Sequence, residues 1–274
     1  NWFKNSPAKQ RIEVFPSNIC NLKCFMCGPK ASTAWAKENF DVTNQGREFI
    51  EEFNSVDKII EIINQVQDLK EISFIGGEFF LTKKNIELLD VVIEKKLLTR
   101  IVTNATVITN NLLNKLKQIN DLDLQISIDG VEKSYEFMRY PANWLEFSRN
   151  VDNLISNLPK ANLYFHIVVQ PLNIIHLIPT LDYTNKKRKV TRITNLIQPE
   201  HLSWCILTDN EKKLIYETLD KQLKEKYLIT KQQHEFIDQL IKTMQSIDYK
   251  ADMRQKFNNF ILERLRHKIG RAHV

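Results

Sequence analysis

CNLKCFMC, running from Cys20 to Cys27, gathers three cysteines into one short stretch. Three thiolates are one too few to close a four-ligand site. The trio therefore suits either a metal with an open position or an iron–sulfur cluster with one exposed iron. A structural zinc site needs a second pair of ligands elsewhere in the chain, and none is evident: His166, His176, His201, His234, His267 and His273 are scattered. A disulfide framework fits less well, because the chain has only four cysteines in 274 residues and three are neighbours.

Outward from the trio, strand-like and helix-like segments alternate for most of the chain, the pattern of parallel sheets with crossover helices. Arg11–Phe15 (RIEVF) is a short apolar run and Glu71–Ile75 a second strand. Ile86, Leu89, Val92 and Ile93 recur at helical spacing across Asn85–Leu98. Ile101–Thr103 comes next, then a helix that Thr109 can cap, with Leu112, Leu113, Leu116 and Ile119 on one side. Leu122–Ile128 alternates apolar and polar residues. Trp144, Phe147, Val151, Leu154 and Leu158 mark a helix that Pro159 stops. Leu163–Val169 and a weaker Val190–Leu196 supply strands five and six. The expected fold is α/β, a partial (β/α)6 TIM-like barrel over residues 9–200. A helical C-terminal extension follows over 201–268, where Leu214, Ile215 and Leu219, then Phe236, Ile237, Leu240 and Met244, repeat at helical spacing.

In such barrels sites form at the carboxyl ends of the strands. Cys20 follows the first strand, Glu78 the second and Asn104 the third; Ser127 and Asp129 close the fourth, and Gln170 and Asn173 follow the fifth. Taken singly, several of these fit plain local structure: Gly76 and Gly77 a tight turn, Asn104 and Asn173 turn formers, Asp129-Gly130 a helix entry, and Arg139 a surface arginine at a helix end.

The cysteine spacing C-x-x-x-C-x-x-C after a short strand resembles the signature of the radical S-adenosylmethionine (SAM) enzymes. The likeness extends along the chain: ISFIGGE at Ile72–Glu78 resembles the family's glycine-glycine-glutamate element, IVTNA at Ile101–Ala105 its third-strand asparagine element, and LQISIDG at Leu124–Gly130 its fourth-strand serine element. SNICNLKCFMCGPK, with RYPANW at Arg139–Trp144 and PEHLSW at Pro199–Trp204, is similar to the twitch domain-containing subgroup. Phe79 and Met26 stand where the family often has proline and an aromatic residue, and neither is a metal ligand.

The resemblance implies a [4Fe-4S] cluster on Cys20, Cys24 and Cys27, whose open iron is chelated by the amino and carboxylate groups of SAM. It implies that Gly76 and Gly77 let main chain approach the cofactor, that Glu78 accepts from its amino group and that Asn104 bridges. By the same likeness Ser127 bonds the ribose, Arg139 pairs with the carboxylate, and Met26, Gln170 and Asn173 flank the adenine. The implied chemistry is reductive cleavage of SAM to a 5′-deoxyadenosyl radical that removes hydrogen from a substrate, fed by an external electron donor such as flavodoxin or ferredoxin. A peptide, protein, nucleotide or small-molecule substrate is open. A non-catalytic zinc or iron–sulfur binding module is the alternative. An electron-transfer protein would need four cysteines around its cluster. Only Cys205 remains outside the trio, too few for a second cluster, and it reads as a packed or semi-exposed thiol.

A chain of this size buries roughly 75% of the surface its unfolded form exposes, enough for a sizeable core. No apolar run approaches the ~20 residues of a membrane span, and reduced thiols suit a cytoplasmic setting. The net charge is +6 and the pI near 9.0. Basic residues gather at Lys186–Lys189 and Arg254–Lys268, which fits a nucleic acid or acidic peptide partner but more readily solvated faces, since no aromatic-interleaved motif accompanies them. The chain opens on Asn1, and Ile269–Val274 (IGRAHV) reads as a non-biological tail.

Overall fold

The structure, a computed structural model, describes residues 11–43 and 56–271, with side chains over 11–38 and 56–265. The start of the expected core at residues 9 and 10 and the end of the tail at 272–274 lie outside the described residues. Two compact units are present, Asn1–Ser127 with Arg139–Phe165, and Ile128–Met138 with His166–Val274. In chain order the elements are β1 (Arg11–Val14), α1 (Thr33–Thr43), α2 (Val56–Gln65), β2 (Glu71–Phe74), α3 (Lys83–Glu94), β3 (Leu98–Thr103), α4 (Asn110–Leu116), β4 (Leu122–Ser127), α5 (Glu132–Met138), α6 (Trp144–Asn157), β5 (Asn162–Val169), α7 (Leu177–Lys186), β6 (Val190–Asn195), α8 (Asp209–Leu223), α9 (Lys231–Ser246) and α10 (Ala251–Arg271). The six strands form one sheet in sequence order, and β1 through β4 are parallel neighbours. This is the α/β class expected from the sequence, with helices beyond the sixth strand.

In the first unit, Ile72, Phe74, Ile101, Leu124 and Ile126 of the strands are buried with Leu88, Leu89 and Val92 of α3 and Phe147, Val151 and Leu154 of α6. Alternation sends one strand face to this core, and the 3.6-residue period does the same for each helix. At the amino ends of the strands a row of charges crosses the sheet. Arg11 Nε lies 3.0 Å from Glu71 Oε1, Arg100 Nη1 3.1 Å from the same oxygen, and Arg100 Nε 3.0 Å from Asp123 Oδ2. Arg11 pairs in register with Glu71, and Arg100 with Asp123. β3 therefore starts earlier than the expected Ile101, because cross-strand partners accommodate Arg100 in the ladder. α3 ends at Glu94, short of the expected Leu98, because Lys96 turns the chain at φ 54°. Its N-cap is Thr82, and Thr109 caps α4 as the sequence suggests.

In the second unit, Trp204, Leu219, Ile237, Leu240 and Met244 are buried. Thr208 and Glu211 close a capping box on α8, and Thr230 and Gln233 close another on α9. Cys205 is buried, with its Sγ 3.3 Å from the Glu200 carbonyl. Arg254 holds Glu211 in a fork, Nη1 to Oε2 at 2.9 Å and Nη2 to Oε1 at 2.8 Å, and Nη1 also donates to the Ile206 carbonyl. The guanidinium hydrogen bonds keep the Glu211 carboxyl below its ordinary value. A depressed carboxylate adds stability above its unfolded pKa and loses it as pH falls. Arg254→Ala should therefore cost roughly 0.5–1 kcal/mol at neutral pH, discounted for partial exposure. Urea titrations should show that penalty shrinking toward about pH 3; an equal penalty at both pH values would contradict the account.

Candidate active site

The loop after β1 carries the trio and is fixed by its own backbone. Ser32 Oγ donates to the Leu22 carbonyl at 2.6 Å and accepts from the Trp35 amide at 3.2 Å, capping α1 while tying it to the loop. Trp35 Nε1 reaches the Cys24 carbonyl at 3.3 Å, and the Cys27 amide donates to that carbonyl at 3.1 Å, forming the turn that holds Met26. Cys24 is buried; Cys20 and Cys27 are half-buried. Lys23, inside the loop, forms a buried ion pair with Glu38 of α1 and sits 5.0 Å from the Tyr140 ring centroid. Its amide donates to the Tyr140 carbonyl at 2.7 Å, which anchors the Arg139 segment to the loop.

The loop after β2 is laced to the same segment. Gly77 N–H donates to the Ser17 carbonyl at 3.0 Å and Glu78 N–H to the Ile19 carbonyl at 2.8 Å. A Cβ on Gly77 would overlap the Ile19 carbonyl oxygen and lie 2.8 Å from the Asn18 carbonyl carbon, so only glycine allows this backbone contact. Gly76 adopts φ 120° with the Phe15 ring against it. The pair thus has a packing role that its sequence alone did not reveal. Gly77→Ala should destabilise the protein by about 1–3 kcal/mol as the two loops separate. Urea unfolding measures this, and a variant as stable as the parent would refute it.

Glu78 is 2% exposed. One oxygen accepts from Thr103 Oγ1 at 2.7 Å and the Phe80 amide at 3.2 Å, the other from the Asn104 amide at 2.6 Å. A carboxylate has about four lone-pair sites, so one remains. Burial pushes the Glu78 carboxyl above its ordinary value, against the pull of these hydrogen bonds and of the Arg139 charge. A raised carboxyl pKa means that ionisation costs stability as pH rises through it. An arriving cationic donor would offset that cost.

Asn104 lies at the same mouth. Its Nδ2 is 3.0 Å from Asn21 Oδ1 and 3.9 Å from Cys20 Sγ, and its Oδ1 accepts from Thr106 N and Oγ1 at 2.9 and 2.6 Å. Asn21 Nδ2 closes the ring onto Thr106 Oγ1 at 2.9 Å. Ala105, between them, is held at φ 56°, with its carbonyl accepting from Asn150. Arg139 is 7% exposed and directs Nη1 to Cys24 Sγ at 3.7 Å; it is a buried residue, not a surface arginine. Ser127 closes β4 and is buried. Burial, with smaller contributions from the neighbouring Cys24 and Glu78, pushes the Cys20 thiol up to about 12. Among the described residues no three His, Cys, Asp or Glu side chains converge on a single-ion site.

Within the second unit, Asp129 Oδ1 accepts from the Val168 amide at 2.7 Å. Asn173 spends its amide on the turn after β5: Oδ1 accepts from Gln170 N, and Nδ2 donates to the Asp129 and Val168 carbonyls. Gln170 is fully buried, yet neither atom of its side-chain amide has a hydrogen-bond partner among the described residues. The sequence reading missed Asn21, Thr103, Thr106 and Lys23. Their spacings carry no motif, and only their convergence in space shows them.

Residues 14–184 match the family model of the radical SAM superfamily, more than half of the 274-residue chain. The chain belongs to the radical SAM superfamily, whose members use a [4Fe-4S] cluster and SAM. Among solved structures, anSMEcpe with bound AdoMet is similar at 16% identity and a TM-score of 0.53, the alignment covering 77% of this chain and 60% of that one. Streptococcus suis SuiB bound to S-adenosylmethionine is similar at 15% identity and a TM-score of 0.56, covering 88% of this chain and 50% of that one. SuiB bound to precursor peptide SuiA gives a TM-score of 0.51 at 15% identity, covering 88% and 48%. These identities speak to the fold, and the chain spans about half to three fifths of the length of these structures. No curated protein matches the chain.

Proposed function

We propose that the protein is a radical SAM enzyme that binds a [4Fe-4S] cluster through Cys20, Cys24 and Cys27 and cleaves SAM reductively. The observation that carries this reading is the clustering of groups around the thiols: Arg139 Nη1 at Cys24 Sγ, Asn104 Nδ2 near Cys20 Sγ, and a buried carboxylate, Glu78, with acceptor capacity to spare. That donor set fits both groups, with soft thiolates for iron and a carboxylate and a guanidinium for the charged ends of an amino acid. When bound, the cluster supplies one electron that splits SAM to methionine and a 5′-deoxyadenosyl radical able to remove hydrogen from substrate.

The chain's own part is to bind, orient and exclude water. Glu78 accepts from the amino group of SAM, while Thr103 and Asn104 fix the carboxylate's orientation. Arg139 pairs with the SAM carboxylate, for which a planar guanidinium is suited. Asn104 bridges between loop and cofactor, Ser127 bonds the ribose, and the Met26 main chain flanks the adenine. In the second unit the buried carboxamide of Gln170 is the adenine-reading group, and Asn173 sets its backbone. Gly76 and Gly77 add close main-chain approach to their packing role.

The catalytic core is placed at residues 9–200, and the helical region at 201–268 as the twitch-like extension. An external one-electron donor such as flavodoxin or ferredoxin completes the system. Among the described residues no helix is long and apolar enough to cross a membrane; a reducing cytoplasm is the setting in which the thiols stay available. The test is anaerobic reconstitution with iron and sulfide, then SAM and a strong reductant. 5′-Deoxyadenosine should form, and Glu78→Ala should weaken SAM binding while the cluster absorbance persists. A fully loaded protein that yields no 5′-deoxyadenosine would defeat the assignment, and tetrahedral zinc alone would favour a binding module.

A further inference from the structure

β6 is the last strand of the sheet, so among the described residues no further strand of that sheet pairs with its outer edge. Natural sheets blunt such edges because a row of free backbone groups templates pairing with another chain. The Leu196 amide donates to the Val169 carbonyl of β5. In a parallel pair both backbone groups of a residue point to the same side, so this bond fixes the phase. Val190, Arg192 and Thr194 turn their backbone toward β5, and Thr191, Ile193 and Asn195 turn theirs away from it. Among the described residues no backbone hydrogen bond reaches those outward groups from outside the sheet. A cleft of about 760 Å³ runs along residues 190–193, walled on its other side by Leu228, Thr230 and the first turns of α9 to Phe236. Arg188, Lys189 and Arg192 line it, and no carboxylate does. Val190 is 69% exposed and Leu228 53% exposed, so apolar surface lies beside positive charge in the cleft.

We propose that this cleft docks an extended, acidic segment of another polypeptide, which adds to the edge of β6 as a further strand. Backbone pairing to Thr191, Ile193 and Asn195 gives the segment its direction and register, while its carboxylates meet Arg188, Lys189 and Arg192 and its apolar side chains cover Val190, Leu228 and Phe236. A polyanion read by charge alone, such as RNA, would use the cations but leave the strand edge and the apolar residues idle. The cleft lies wholly within the second unit, and the inference is independent of the SAM reading. It gives the basic segment at Lys186–Lys189 a purpose that composition alone assigned to solvent.

The test uses the full chain and a short fluorescent peptide of alternating glutamate and valine, followed by anisotropy. The peptide should bind at least about tenfold more tightly than its lysine counterpart, and the combined Arg188→Glu, Lys189→Glu and Arg192→Glu variant should lose about tenfold or more. N-methylating alternate peptide amides separates strand addition from charge: one phase should abolish binding and the other leave it nearly intact. Circular dichroism confirms that the charge-reversed variant folds, and N-methylation is read on the unaltered protein. Equal binding of both methylation phases would overturn the proposal. So would equal binding of acidic and basic peptides, full competition by single-stranded RNA of the same charge, or a dimer in sedimentation that the charge reversals dissolve.

Discussion

A chain in which Cys20, Cys24 and Cys27 are all replaced by alanine will take up no iron–sulfur chromophore and will form no 5′-deoxyadenosine from SAM. The expected loss is complete, because the reaction depends on the cluster and the one cysteine left, Cys205, is a buried thiol bonded to the Glu200 carbonyl. Single replacements should behave almost as severely, since two thiolates hold a cluster poorly. The informative comparison is with Asn104→Ala and Arg139→Ala, whose side chains touch the thiols without ligating iron in this reading. They should keep the absorbance and lose SAM affinity. Visible absorbance, iron content and product analysis together check this. A triple variant that still cleaves SAM would remove the foundation of the proposal.

Lys23→Ala is expected to destabilise the protein by about 3–5 kcal/mol, because it leaves Glu38 charged, buried and without its partner. The same substitution removes the cation from the Tyr140 ring while leaving the Lys23 amide to hold the Tyr140 carbonyl. Thermal and urea unfolding should both show the loss. Replacing Lys23 and Glu38 together with methionine and leucine should recover most of it, since a well-packed apolar pair often equals or exceeds a buried ion pair. If Lys23→Ala unfolds like the parent, the pair is an ornament and the loop is held by its backbone alone.

The sequence was legible where one signal repeats. Strand ends at β2, β4, β5 and β6 and the helix α6 lie within a residue or two of their expected positions, because alternation, the 3.6 period and Pro159 act locally. α2 went unread although Val56, Ile59 and Ile63 mark its buried face. α7 went unread because Pro179 interrupts the pattern; it sits in the first turn, where its missing amide costs little. The candidate site was readable as residues but not as relations. Nothing in the order of the chain shows that Asn21 closes a ring with Asn104 and Thr106, or that Asn173 Nδ2 reaches the Asp129 carbonyl. Such bonds join residues whose separation in sequence is arbitrary, and only the folded backbone brings them within reach.

The row Arg11, Glu71, Arg100 and Asp123 lies at the opposite ends of its strands from the thiols. Sliding one strand past its neighbour would break alternating attractions in several places at once, so this far rim acts as an alignment key for β1 to β4. Loop side chains near the thiols that make none of the contacts described above can then change without shifting the strands that carry them. The sheet keeps its alignment at one rim and its thiols at the other.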